Sequence, residues 1–268
     1  MNRAFSAGEA GLAFFLGCVV ASGSVQAIVA ETAPSARMSR VLKDVKLSAA
    51  GNSPRPVKTG DAVPDGTTLQ TGAEARAEVI LPGPAITRLG GRTTLTLASN
   101  GALELGEGLV LFQVPRSGTT KITTGTINLA ARGSTGLIER NGGAYVKILI
   151  LEGDARVYTS RLGESIVMTA GQLLITTPKA LGLAEPVHFN IEHLYQTSLL
   201  INAGFAPLAS RELILRAIAE QKSDPQFVPT NLVIFGRGTL VNLVPPSPTP
   251  AQAVKSGLSS LAQKPKKP

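Results

Sequence analysis

The sequence is poor in the residues that most often carry chemistry. Its 268 residues include one cysteine, two histidines and no tryptophan, and aromatics make up only 4%. A single cysteine excludes an intramolecular disulfide and a cysteine-based metal cluster. The histidines, His188 and His193, are five residues apart, so a helix would turn them to different parts of its surface. Glu192 lies between them, but no third ligand is specified, and neither a metal nor any other cofactor is expected. The scarcity of aromatics argues against a platform that stacks nucleic-acid bases and, more mildly, against one that stacks sugars. No nucleophile elbow is present. "GRGTL" and "ARGSTG" lack both the phosphate-binding lysine and the dinucleotide glycine spacing.

Charged residues are also sparse, at 16%, yet bases outnumber acids and the formal net charge is +8. The basic residues are scattered except in the terminal "QKPKKP". Such a distribution fits general attraction to anionic surfaces and not a nucleic-acid groove.

The first 27 residues have the layout of an export signal. Arg3 precedes an apolar run from Gly11 to Ala21, and Val25 and Ala27 supply small residues at a cleavage position. Cleavage after Ala27 would remove Cys18. Cleavage just before Cys18 would instead lipidate it, but "FFLGC" continuing into "VV" fits that processing poorly. The expected location is therefore the periplasm, the cell envelope or the medium.

What the sequence has in quantity is turn formers, with 28 glycines and 18 prolines. Between them run short alternating segments: "TTLTL", "ALEL", "LVLFQV" and "KITTGTINLA". β-Branched and leucine residues alternate with Thr, Glu, Gln or Lys, the period of strands with one buried face. The spacing predicts a mainly β fold over residues 41–178: a sandwich, roll or solenoid-like body. Within "YVKILILEGDARVYT", Val146, Ile148 and Ile150 point one way and Tyr145, Lys147, Leu149 and Leu151 the other. Both sets are largely apolar, which predicts a central strand. Ala155 and Val157 then return to the core, while Arg156 and Tyr158 face away.

Residues 28–40 read as a flexible lead. After Pro186 the period becomes helical, predicting a two-helix appendage over 187–223. Asn190 is the expected cap of the first helix and Ser210 of the second, whose apolar stripe is Leu213, Ile214, Ala217 and Ile218. Residues 228–244, "VPTNLVIFGRGTLVNLV", return to a strand-like pattern. Residues 245–268 are rich in Pro, Ser and Lys and read as a disordered tail able to meet an anionic surface.

The order of features resembles the FecR-like extracytoplasmic domain. The resemblance runs through "PVKTGDAVPDGTTLQTGAEARAEVIL", "ITRLGGRTTLTL", "KITTGTINLAARGSTGLIE", "YVKILILEGDARVYT" and "ESIVMTAGQLL", across roughly residues 41–178. Its landmarks are Gly60-Asp61, Thr71-Gly72, Arg132-Gly133-Ser134, Leu151-Glu152-Gly153 and Gly171, which it implies are structural turns and not catalytic positions. The resemblance implies an all-β body outside the cytoplasm. Some such proteins relay transport status to an anti-sigma system, with a cytoplasmic segment and a membrane helix ahead of this domain. Neither pattern is read in this sequence, so the expectation is an exported branch of the family with different attachments.

The resulting expectation is a non-enzymatic binding or structural protein of the envelope, contacting a protein or a polysaccharide, with self-association into a homo-oligomer left open. Arg132, Lys147, Arg156 and Arg161 are the candidate surface contacts. Two other readings stand beside it. A carbohydrate-active or glycan-binding protein would bring Glu139, Glu152 and Asp154 together in a cleft. A sensor would dock on a separate membrane regulator.

Overall fold

A computed structural model describes residues 36–49, 51–160, 163–177, 182–225 and 227. The export-like segment 1–27, Arg161, the strand-like segment 228–244 and the tail 245–268 lie outside the described residues.

The protein is mainly β. The chain begins with β1 (Ala36–Leu42) and β2 (Val45–Ala49), the short β3 (Arg55–Pro56) and β4 (Ala62–Val63), then β5 (Thr67–Thr71), β6 (Arg76–Ile80), β7 (Ile86–Leu89) and β8 (Thr94–Leu97). Next come the long β9 (Leu103–Val114), β10 (Thr120–Thr124), and the long β11 (Ile127–Asn141) and β12 (Tyr145–Thr159). β13 (Ser165–Thr169), β14 (Gln172–Thr176) and β15 (Val187–His188) follow. The helices α1 (Ile191–Thr197), α2 (Leu199–Asn202) and α3 (Arg211–Ser223) close the described chain.

The fifteen strands of the described residues join one open hydrogen-bonded sheet, bent into two layers by β9, β11 and β12. One half of each long strand belongs to each layer. In the first layer, residues 134–140 of β11 lie between β9 and residues 145–152 of β12, with β7, β6 and β1 beyond β9 and β14 beyond β12. In the second, residues 127–132 of β11 lie between β10 and residues 154–159 of β12, with β13 outside. The start of β9, β8, β5 and β2 extend that layer on the other side. Strands that change layer at bulges are a known way of making such corners.

A single apolar core fills the space between the layers. Met38, Val79, Val110, Phe112, Ile138, Val146 and Ile148 come from the first layer. Leu47, Leu69, Leu95, Ile122, Leu129 and Val157 come from the second. Each such side chain contributes about 1.5–3 kcal/mol by leaving water. The first layer is also apolar on its outer face. There Leu111, Leu137, Leu149, Leu151 and Leu173 meet Ile191, Leu194, Leu200, Ile201, Ile214 and Ile218 of the helices in a second core. The first half of β12, residues 145–152, is thus central and covered on both faces, as its sequence predicts.

Several expectations need correction. β1 starts at Ala36, so residues 36–40, read as part of the lead, are in the sheet; Ala36 and Met38 are buried. "ALEL" and "LVLFQV" are not separate strands, because Gly106 and Gly108 lie inside β9; Arg132-Gly133-Ser134 and Leu151-Glu152-Gly153 are not turns but lie inside β11 and β12. The appendage has three helices, because the run from Ile191 to Asn202 breaks at Ser198, whose extended backbone ends α1 and precedes α2. Asn190 caps α1 as expected, its Oδ1 accepting from the His193 N–H at 2.9 Å. Ser210 makes no cap bond, and Leu213 is exposed, not part of the buried stripe.

Candidate functional site

The corner between the layers is built from two facing bulges. The register of β11 against β12 shifts between Arg132 and Thr135, opposite Leu151-Glu152-Gly153. One extra residue in a strand exchanges its faces. Accordingly Leu129 and Ala131 point inward before the bulge in β11, and Ile138 after it. In β12 the inward set changes from Val146, Ile148 and Ile150 to Ala155 and Val157. Gly133 (φ 59°) and Gly153 (φ 72°) hold the left-handed backbone that these bulges require.

This exchange decides where the expected contact residues go. Lys147 precedes the corner, on the outer face that the helices cover, and it is fully buried; it is not a surface contact. Its Nζ lies 3.3 Å from Oε2 of Glu139 and 5.1 Å from the centre of the Tyr145 ring. Arg132 and Arg156 follow the corner on the outer face of the second layer, and both are exposed. Arg132 donates from Nε to the Arg116 carbonyl at 3.1 Å, and Arg156 donates to the Ser165 hydroxyl at 3.1 Å. Asp154 pairs with Arg132 in the register, and Lys121 reaches over the Tyr158 ring on the same face. The uncovered face is therefore predominantly basic.

The expected turn residues have distinct placements. Asp61 accepts from the Lys58 N–H at 3.0 Å, and the Gly60 N–H donates to the Met38 carbonyl at 2.8 Å, fastening that loop to β1. Gly72 donates to the Asp44 carbonyl at 2.9 Å, beside the break between β1 and β2. Gly171 donates to the Ile150 carbonyl and accepts from Phe189, seating the chain that leads into α1.

Arg88 in β7 is the residue that sequence reading missed. Only 1% of it is exposed. Its Nε donates to Glu78 at 2.6 Å, and its terminal nitrogens donate to the carbonyls of Leu200 at 2.8 Å and Ala206 at 2.6 Å. The Phe205 ring lies 4.6 Å from the guanidinium carbon. Glu78 also accepts from Ser39 at 2.6 Å. The guanidinium thus satisfies carbonyls at and beyond the end of α2, where the helix has no partners of its own. Burial lowers the Arg88 pKa and the Glu78 carboxylate opposes that shift. The only signal in the sequence is an arginine at a strand position beside glycines, which reads as ordinary surface charge.

Further side-chain hydrogen bonds hold the helices. Gln113 Oε1 accepts from the Ala209 N–H at 3.1 Å. Gln221 accepts from the Ile191 N–H at 3.0 Å and donates to the Phe189 carbonyl at 2.8 Å. Thr135 Oγ1 stands 2.6 Å from the Glu152 carboxylate and 2.7 Å from Ser210 Oγ. Burial pushes the Glu152 pKa up, against the Thr135 hydrogen bond and the charge of Arg116, which lower it. A hollow of about 220 Å³ beside Glu152 is bordered by Arg116, Arg216 and Glu220.

A larger cleft of about 840 Å³ lies where the helices meet the β6–β7–β9–β11 end of the first layer. Glu139, Arg76, Arg92 and Arg140 line it, with Leu199, Leu200 and His193 from the helices. Burial raises the Tyr145 pKa next to it; a hydrogen bond with Asn141 opposes the shift and the Glu139 charge adds to it. The histidines are separated: His193 lines the cleft, whereas His188 sits in β15 with its ring 6.2 Å from that of Phe227. Among the described residues, no three His, Cys, Asp or Glu side chains gather in a metal-binding group. Among the same residues, no helix is long and apolar enough to cross a membrane.

Comparison with known proteins gives three findings. The model for the family described as "FecR protein" matches residues 67–156, from β5 into β12. No curated protein matches. Among solved structures, two crystal structures of a candidate anti-sigma factor from Parabacteroides distasonis are similar in part. One is 13% identical, with 60% of this chain and 79% of that chain covered, at a TM-score of 0.41. The other is 14% identical, with 63% and 82% covered, also at 0.41.

Proposed function

Since residues 67–156 make up a FecR-like domain, we propose that the protein is a non-catalytic binding module of the cell envelope that docks on a regulatory protein partner. Export rests on the pattern of residues 1–27. The partner would use the basic outer face of the second layer, where Arg132 and Arg156 are exposed. An acidic partner surface fits that face.

The observation that carries the reading is the separation of the carboxylates. Glu139 and Glu152 stand beside Lys147 and Thr135 on the paired strands. Residues 135 and 139 are four apart on β11, so Glu139 and the strand position facing Glu152 are spaced by roughly 13 Å along the backbone. Glycoside hydrolysis uses pairs about 5–9.5 Å apart. Glu139 is engaged by Lys147 and Glu152 by Thr135, while Asp154 is exposed on the other layer's outer face. That arrangement supports binding over glycan hydrolysis.

The test is native crosslinking in envelope extracts. Reproducible capture of one membrane regulator, with crosslinks mapping to the face of Arg132 and Arg156 and lost in an Arg132→Glu/Arg156→Glu variant, is the expected result. Turnover of a purified glycan by the isolated protein would overturn the reading.

A further inference from the structure

The floor of the large cleft is one row of side chains running across the first layer. Ala77 pairs with Leu89 and Leu89 with Val110, so one step further along Arg76, Gly90 and Leu109 align. The Gly90 N–H donates to the Leu109 carbonyl at 2.8 Å, which fixes that step. Leu109 pairs with Glu139, and Glu139 with Lys147. The row therefore reads guanidinium, no side chain, leucine, carboxylate, ammonium. Gly90 presents no side chain between Arg76 and Leu109, whose Cβ lies 3.4 Å from where a Gly90 Cβ would stand. α2 forms a wall beside it, and Leu199 there is 60% exposed.

Two groups of opposite charge in this cleft have unused hydrogen-bonding capacity. Glu139 is 6% exposed, and its Oε2, although 3.3 Å from Lys147 Nζ, accepts no hydrogen bond. Arg76 Nε is buried without an acceptor. Buried polar atoms in this condition cost free energy that a suitable ligand recovers. A purely anionic ligand would leave the acid unsatisfied and a purely cationic one the arginine. A ligand with both a donor cation and an acceptor anion satisfies both.

We propose that this cleft binds a short peptide as its zwitterion, with the free ammonium at Glu139 and the free carboxylate at Arg76. Arg92, exposed and lining the same cleft, biases entry toward the carboxylate end. The span sets the length. Arg76 and Glu139 are three strand steps apart, about 14 Å between Cα atoms at ~4.8 Å per step. The lengths of the two side chains shorten that span toward the ~7 Å of two extended residues. A single amino acid carries both charges on one carbon and is too short. The cleft volume, about 840 Å³, is within the ordinary range for small-ligand sites. This site is on the opposite layer from the proposed partner face, so the two readings stand or fall separately.

The experiment is isothermal titration calorimetry of the full chain with alanyl-alanine, its N-acetyl derivative, its C-terminal amide, and free alanine. Saturable binding of alanyl-alanine is expected, with each blocked form and free alanine weaker by at least about tenfold. Arg76→Met keeps the aliphatic stem and should bind the free acid and the amide equally. Glu139→Gln should stop distinguishing the free from the acetylated amine; because it also releases Lys147, its fold is checked by circular dichroism, and Arg76→Met decides if it fails to fold. No saturable heat with alanyl-alanine up to about 10 mM, equal binding of acid and amide by the unaltered protein, or unchanged selectivity in Arg76→Met would overturn the proposal.

Discussion

A Cβ placed on Gly153 would stand 2.2 Å from the carbonyl oxygen of Gly133. The two bulges of the corner are in backbone contact, and a side chain on Gly153 has nowhere to go. Gly153→Ala should therefore cost more than its left-handed backbone alone, which accounts for about 1–2 kcal/mol; a total of roughly 3 kcal/mol or more is expected. Gly51 is the control. It has φ 78°, and a Cβ there would meet nothing within 4 Å, so Gly51→Ala should cost only the backbone part, about 1–2 kcal/mol. Urea denaturation of both variants checks the difference.

Removal of Arg88 strands a buried carboxylate and helix-end carbonyls together. Arg88→Ala should destabilise the protein by about 3–5 kcal/mol, the range for breaking a buried pair. Arg88→Lys should rescue only part, because an ammonium cannot present the forked geometry that reaches Glu78, Leu200 and Ala206 at once. Limited proteolysis should cut the α1–α3 region first in both variants.

Glu152 gives a pH dependence with a definite sign. Its folded pKa is raised by burial, so the folded state holds the proton more tightly than the unfolded chain does. The contribution to stability is fully present below the unfolded pKa and is lost as pH rises through the folded pKa. Glu152→Gln should flatten the fall of Tm over that acidic window and leave the protein no less stable at neutral pH. A variant whose Tm still falls with the same slope would show that another group is responsible.

Neighbouring residues on α3 should differ sharply. Gln221→Ala leaves the Ile191 N–H and the Phe189 carbonyl without partners, a loss of about 1–3 kcal/mol. Lys222→Ala removes an exposed pair with Glu192, worth about 0–1 kcal/mol. Thermal melts of the two variants under one buffer separate them.

Much of the body is legible in the sequence because alternation is a local property. Val146, Ile148 and Ile150 on one face and Leu149 and Leu151 on the other are read from the chain and found in the two cores. The return of Ala155 and Val157 inward is legible too. The sequence does not reveal that a glycine pair which resembles a turn sits inside a continuous strand, because a bulge and a turn use the same left-handed residue. Nor does it show which layer the helices cover. For that reason Lys147 and Arg156, both basic residues of one strand, read alike, although one is buried and the other exposed. Arg88 is illegible for the same reason: its partners, Leu200 and Ala206, are more than a hundred residues away.

Three strands belong to both layers, and this fixes how the body responds to load. Separating the layers completely would break the pairing of β9, β11 and β12 that runs through both. A partner pulling at Arg156 therefore strains, through one unbroken backbone, the segment that carries Lys147 beneath the helices. The two outer surfaces are therefore joined by covalent chain and not by packing alone.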